Sequence, residues 1–358
     1  MSESSSSSYG KPSAEGESPA RPPRRTRYRG KNPRRFEEKY KEHQPERYAE
    51  TVAKVRASGK TPAGQHVPIM LSEIMEVLSP QPGERAVDCT LGYGGHAEAL
   101  LRAVQPKGCL LGLDQDSIEI VKTEARLRTL GFPEKTLRIE RTNFAALTRV
   151  LNDVGWKTGA DVILADLGLS SMQIDNPARG FTFKQNGPLD MRMNPQRPVS
   201  ARELLQKLSA EKLAVLLEEN ADEPKARLLA QALAGQDFTG TFALAAAIKK
   251  VLPGRTKEEE VESTVRRVFQ ALRIAVNDEF SALDTFLRNL PASLRHGGRV
   301  ATLTFHSGED RRVKRSFEEA ARNGLYSSIS TEVQRPSSAE LRDNPRAAPA
   351  KLRWAVKS

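Results

Sequence analysis

Four carboxylates, a glycine-rich turn and a histidine carry most of the chemistry this sequence can offer. Asp88 closes a short apolar run in AVDCTLGYGGH (86–96), Asp114 closes CLLGLD, Asp166 is followed by Leu167-Gly168, and Asp190 sits in GPLDMRM. Gly92, Gly94 and Ala97 fit the G-x-G-x-x-G/A spacing, and Asp114 follows Gly92 by 22 residues, where a carboxylate commonly meets ribose hydroxyls. Glycines tolerate positive φ and let a ligand approach backbone N–H groups, so the turn outlines a nucleotide-binding crevice. A glycine-rich link between strand and helix can equally be only a turn. These residues alone leave the cofactor open.

The elements that must hold them follow from periodicity. A helix is predicted from about Ile69 to Leu78, ended by Pro80 and Pro82. Strands are predicted at Arg85 to Asp88, Cys109 to Asp114, Leu137 to Glu140 and Asp161 to Asp166, alternating with helices at 97–104, 117–130 and 144–154. Such alternation gives a parallel sheet covered on both faces, with its crevice at the carboxyl ends of the strands. Asp88, Asp114, Asn143 with Phe144, and Asp166 all fall at such ends. Residues 165–195 then lose periodicity but keep apolar anchors at Phe181, Phe183, Leu189, Met191 and Met193, the profile of a functional loop. Residues 199–265 read as helical, and one long helix is expected over 266–290. GGRVATLTFHS supplies a fifth strand and KLRWAVKS a last one, with a surface loop over SSISTEVQRPSSAELRDNPRAAPA.

Composition bounds the function. The chain of 358 residues carries a net charge of +11, and its first 60 residues hold 15 Lys+Arg against 8 Asp+Glu, so +7 of the excess is concentrated there. A basic arm favours polyanions, nucleic acid above all, or is simply a solvated tail. Residues 1 to about 30 are too poor in apolar side chains to fold, residues 32–64 suit either a helix formed on contact with RNA or a solvated linker, and 1–64 as a whole is expected to be a disordered basic extension. No run of 18 apolar residues occurs, no signal-like segment opens the chain, and Cys89 and Cys109 are too few for a disulfide framework or a metal site. No membrane association, no metal and a reducing cytoplasm are therefore expected.

A hydride-transferring enzyme would share the first half of this architecture. An acid at the first strand end, Asp88, favours S-adenosylmethionine over a dinucleotide, although it could also be a cap. Methyl transfer to an amine needs a positioned acceptor and somewhere for a proton to go. Asp166 and Asp190 are the carboxylates best placed for that catalytic role; alternatively, Asp166 caps a turn and Asp190 pairs with Arg179 or Arg192. Cys89 would suit carbon-5 methylation of a pyrimidine, but no Pro-Cys pair occurs in the strand-four loop. His306, after strand five, suits either loop orientation or proton transfer. Arg311, Arg312, Lys314 and Arg315 suit phosphate contacts or a solvated helix face.

HVPIMLSEIMEVL, DCTLGYGGHAEALL, LGLDQD, ADLGLSSMQIDNPARGFTF, GPLDMRM, FQALRIAVNDEF, TFHSGEDRRVK and NPRAAPAKLR resemble, in order, the blocks of the small-subunit ribosomal RNA methyltransferase H family, over about residues 66–355. The resemblance implies an S-adenosylmethionine-dependent enzyme that methylates the exocyclic N4 of a cytidine in 16S rRNA of the small ribosomal subunit. It implies a Rossmann-like α/β methyltransferase core at 65–198 and 266–358, with an inserted helical domain at 199–265. It also implies cofactor contacts at Gly94, Gly95, His96, Asp114, Phe144, Asp166 and Gln173. The sequence departs from the family pattern at Gly308, usually leucine, in ESTVRRVFQAL, which lacks a Pro-Ala-Thr-Arg lead-in, and at Ala348-Pro349, usually Arg-Ser. These departures lie outside the cofactor blocks and bear on RNA docking. A non-catalytic rRNA-binding assembly factor, or an amino-methyltransferase acting on another nucleic acid, are the alternative readings.

Overall fold

A computed structural model describes residues 68–358; the expected basic extension at 1–64 lies outside the described residues. Three apolar runs that end on a carboxylate become the central strands β1 (Arg85–Asp88), β2 (Cys109–Asp114) and β4 (Ala160–Asp166); β3 (Leu137–Arg141) and, later, β5 (Leu294–Thr304) flank them. Successive side chains alternate between the faces of the sheet, and both are covered. Val87, Ile163 and Ala165 join one apolar cluster, while Ala86, Val162 and Leu164 join the other. The sheet has seven strands in the order β3-β2-β1-β4-β5-β7-β6. β1 to β5 are parallel, and β7 (Lys351–Lys357) runs antiparallel between β5 and β6 (Tyr326–Ile329). The first five strands follow the doubly wound order, whose direction reverses between β1 and β4. This is the Rossmann-like methyltransferase arrangement expected above.

The covering helices take their lengths from the same patterning. α1 (Leu71–Leu78) buries Ile74 and Leu78; α2 (Gly95–Val104) buries Ala97, Leu100, Leu101 and Val104. α3 (Glu119–Thr129) and α4 (Leu147–Asp153) complete the first half. The 165–195 stretch contains a short α5 (Ser171–Asp175), opened by a Ser170–Gln173 capping box, and a 3-10 turn at Pro177–Arg179. Four helices follow: α6 (Ala201–Lys207), α7 (Ala210–Ala221), α8 (Ala226–Leu233) and α9 (Thr241–Val251). Their buried leucines form a third apolar cluster with Leu189, Met191 and Met193.

Two expectations need correction. The helix expected over 266–290 is two: α10 (Glu258–Asn277) and α11 (Glu279–Ser293), separated by Asp278 in the left-handed region at φ 53°. The boundary expected at 265 therefore falls inside α10, whose Val265, Val268 and Leu272 pack in the third cluster. Beyond α12 (Ser307–Arg322), the stretch expected to be a loop holds β6 and α13 (Ser338–Asp343). YSSI offers only two apolar residues, so pairing with β7 rather than local pattern makes it a strand.

The Asp278 break is anchored by its neighbour. Buried Asn277 donates from Nδ2 to the carbonyls of Met191 (2.7 Å) and Arg273 (2.9 Å), and its Oδ1 accepts from Met193 N (2.8 Å). A β-branched residue at 278 would have to adopt the left-handed conformation against its own Cβ. Asp278→Val is expected to lower unfolding stability by about 1–2 kcal/mol while Asp278→Gly stays within about 0.5 kcal/mol of the parent, as read by urea denaturation.

Candidate active site

The chain reversal between β1 and β4 opens a cavity of about 640 Å³ above the carboxyl ends of the strands, within the range of small-molecule sites. Gly94, Gly95, His96, Asp114, Phe144, Asp166 and Gln173 all line it. Sequence-distant residues are thus gathered at one crevice by strand order alone.

The glycine turn is held from below and from the side. Asp114 Oδ2 accepts from Gly92 N (2.8 Å) and its Oδ1 from Asp116 N (2.8 Å). Thr123 donates to the Gly92 carbonyl, and Arg126 donates from Nε and Nη2 to the Tyr93 carbonyl (3.1 and 2.8 Å) while lying over the Tyr93 ring. Gly94 has φ +79°, and a Cβ there would come within 2.8 Å of Thr123 Cγ2, so backbone conformation and space both require glycine. Buried His96 bonds through Nε2 to the Ile69 carbonyl at 3.0 Å. A carbonyl can only accept, so Nε2 carries a proton, and Nδ1 lies 3.6 Å from Asp166 Oδ2.

Asp88 and Asp166 end neighbouring parallel strands. Thr90 links them, donating its backbone N–H to Asp88 Oδ1 (3.0 Å) and accepting the Asp166 N–H on Oγ1 (2.7 Å). Burial, with a contribution from the Asp114 charge, pushes the Asp88 carboxyl up to about 7. Burial, reinforced by Asp88 and Glu309, pushes Asp166 up to about 8, although 26% of its side chain stays open to the cavity. Burial likewise raises Asp114 to about 6, against the hydrogen bonds from Asp116 and Gly92.

A second network fixes the far wall. Asp116, 1% exposed, accepts from Gln173 Nε2 (2.7 Å) and Arg179 Nη1 (2.8 Å) on Oδ2. Arg179 also donates from Nη2 to the carbonyls of Arg192 and Met193. Gln173 therefore orients the loop after β4, in addition to lining the cavity. Phe144 stands edge-to-face on Phe286 at 5.4 Å and exposes its other side to the cavity.

Asp190 is not brought to the cavity. Its Oδ1 accepts from the backbone N and Nε of Arg192 and its Oδ2 from Nη2 (2.7 Å), which hold it below the usual carboxylate range against the opposing effect of burial. The pairing with Arg192, not an acceptor-side position, is what the geometry gives. His306 caps α12, with Nδ1 accepting from Glu309 N, and its Nε2 lies 3.1 Å from Glu309 Oε1, too bent for a full hydrogen bond. Three of the four basic residues of that run are paired: Arg311 with Asp222, Arg312 with Asp284, Lys314 with Glu318. Gly308, the expected departure from the family pattern, sits where this chain leaves little room for a side chain. A Cβ there would meet Phe280 Cζ at 2.6 Å, and Arg312 lies 3.6 Å over that ring.

Sequence reasoning missed Arg273 and Glu309, which also line the cavity. A lone arginine inside the apolar run ALRIAV of α10 was the available signal for the first.

Comparison with known proteins places these features. The profile of the MraW methylase family matches residues 63–358. The chain belongs to that family. It is 48% identical over 343 residues to ribosomal RNA small subunit methyltransferase H 1 of Lachnoclostridium phytofermentans, covering 94% of this chain and 93% of the relative. It is also 48% identical to ribosomal RNA small subunit methyltransferase H 2 of Alkaliphilus metalliredigens, covering 94% and 97%. To ribosomal RNA small subunit methyltransferase H of Oleidesulfovibrio alaskensis it is 37% identical over 310 residues, covering 81% and 94%. As a member of the MraW methylase family the chain has the fold and methyltransferase class that its ordered blocks led us to expect.

Two variants test the electrostatics. Unfolded aspartate loses its proton near pH 4 and folded Asp166 near pH 8, so between these values the folded state holds the extra proton and stability falls as pH rises. Asp166→Asn removes this liability. It is expected to raise the ligand-free melting temperature by about 2–5 °C at pH 8, with the gain vanishing near pH 4, as read by calorimetry. Arg179→Ala strands Asp116 in the interior and is expected to cost about 3–5 kcal/mol by chemical denaturation.

Proposed function

We propose that this protein transfers a methyl group from S-adenosylmethionine to the exocyclic N4 of a cytidine in 16S rRNA, acting in the cytoplasm on the small ribosomal subunit. The observation that carries the reading is the convergence of the glycine turn, Asp114, Phe144 and Asp166 on one cavity in a chain of the MraW methylase family.

The residues present fit this cofactor. The glycine turn lets a ligand approach to backbone contact at Gly94 and Gly95, where side chains would collide with Thr123 and Pro68. Asp114 stands 22 residues after Gly92, at the β2 end, as the ribose-facing carboxylate, and Phe144 offers an apolar surface for the base. Asp114 and Asp166, both lining the cavity, are carboxyls whose ionised forms a sulfonium cation would favour and a pyrophosphate would disfavour. When bound, the cofactor supplies a methyl group on a positively charged sulfur, which is displaced with the bonding pair leaving on sulfur.

The chain's own residues contribute position and proton handling. Cytosine N4 is conjugated into the ring and weakly nucleophilic, so the enzyme must hold its lone pair in line with the methyl carbon. Asp166 is the carboxyl placed to take a hydrogen bond from that amine. A nearby cation would lower its pKa from about 8 and so favour the ionised form, which can accept from N4–H. His96 Nδ1, at 3.6 Å, faces the same carboxyl and limits its rotation. The loop after β4, locked through Gln173 and Arg179 to Asp116, forms the wall against which the flipped base is seated.

Mass mapping of 16S rRNA from cells with and without the gene is expected to show the loss of one methyl group on one cytidine; an unchanged map would refute the reading. In vitro, labelled methyl transfer is expected to small subunits and not to DNA. Asp166→Ala is expected to lower turnover by about 100-fold or more, with RNA affinity within about threefold of the parent.

A further inference from the structure

Arg273 is a cavity-lining cation whose donors are only partly used. It projects from the last turns of α10, and its guanidinium is gripped by one fork: Nε donates to Glu279 Oε1 and Nη2 to Glu279 Oε2, both at 2.8 Å. Glu309 Oε1 stands 4.0 Å from the same Nη2. The two carboxylates come from different elements, the first residue of α11 and the first turn of α12, so the guanidinium plane is fixed from two sides. Nη1 makes no hydrogen bond among the described residues. Nor is it a sealed orphan, because the side chain keeps 14% of its surface open and borders the cavity that holds Asp166.

Such a group is a preset pair of donors awaiting acceptors. A phosphate is a poor match, since it would enter beside the carboxyl groups of Glu279, Glu309 and Asp166. A neutral base edge carries no such penalty. Cytosine presents an amine next to the acceptors N3 and O2, which is the order this wall offers in complement: carboxyl oxygens beside a guanidinium. Uracil reverses the order at O4 and N3. Adenine keeps the amine and one ring acceptor, but has a C–H where cytosine has O2.

We propose that Arg273 reads the N3/O2 edge of the target cytosine and so selects cytosine over adenine as the base whose amine is methylated. The assignment rests on the reading that this cavity methylates a cytidine amine. Glu279 acts through Arg273, as a positioning residue, and Glu309 supplies the second point of orientation. Glu309 also remains ionised beside Asp166: burial would raise it, but His306 and the Arg273 charge hold it below the usual carboxylate range.

The test uses the full-length chain and small subunits reconstituted with cytidine or adenosine at the position found by mapping. The parent is expected to methylate the cytidine subunits at least about 100-fold faster than the adenosine subunits. Arg273→Gln is expected to lower the cytidine rate by about 10- to 100-fold at saturating subunits and to narrow the cytidine-to-adenosine ratio below about tenfold, with cofactor Kd within about threefold. Arg273→Lys keeps the charge without the fork; it is expected to keep the melting temperature and still lose about tenfold in kcat, so the test stands if the glutamine variant fails to fold. A cytidine rate within about threefold of the parent in the lysine variant would overturn the proposal. So would a defect confined to KM with a shallower salt dependence, which would assign Arg273 to a phosphate. A parent enzyme that methylates no cytidine would overturn the functional reading and this assignment together. Methylation of cytidine by the parent with an unaltered ratio in the glutamine variant would overturn this assignment alone.

Discussion

Two carboxyl groups buried at the ends of adjacent parallel strands set the terms for the rest of the site. Asp88 and Asp166 are brought together by the β1–β4 pairing, and only a fold stabilised elsewhere can hold them there. Burial disfavours the charged form of both, with Asp114 adding to the effect at Asp88 and Asp88 and Glu309 adding to it at Asp166, which is why both carboxyls rise by several pH units above an exposed aspartate. The apolar clusters on the two sheet faces, with Val87, Ile163 and Leu164 fully buried, supply the stability that offsets this crowding. A positive ligand in the cavity would favour the ionised forms that burial disfavours.

Around that pair, the protein uses neutral and paired groups to fix what must not move. Thr90 joins the two strand ends without adding charge, and the Asp116–Arg179 ion pair fastens the long loop through two backbone carbonyls as well as Gln173. The loop reads as aperiodic, yet it is anchored at both ends. A capping box opens it, and Asn277 closes it from α10. Its lack of repeating pattern is therefore compatible with a defined shape, because polar contacts to distant elements replace local periodicity.

β1, β2 and β4 were legible in the sequence because each is a buried apolar run ending on a carboxylate, and β1 and β2 fall at the expected residues. The cavity residues were legible for the same reason: strand ends converge whatever the loops do. What escaped depends on partners far away in sequence. β6 is a strand only because β7 pairs with it, and the break at Asp278 rests on a left-handed residue that periodicity cannot reveal. Asp190 stood beside Asp166 as a candidate in the linear chain, with pairing to Arg179 or Arg192 as its alternative. Only the fold shows that one faces the crevice while the other is spent on Arg192. Arg273 was hidden in an apolar helical run, where its worth lies in Glu279, six residues on and across a helix break.

α10 runs uninterrupted for 20 residues, with leucine-cluster contacts along its length and Arg273 near its end. A continuous helix of that length is a rod of about 30 Å with no internal hinge. Whatever the helical layer touches on an RNA surface, a shift of that layer is carried to the cavity wall as a rigid displacement rather than absorbed on the way. The packing of the helical layer and the placing of the Arg273 guanidinium at the cavity wall are therefore mechanically coupled through one rod.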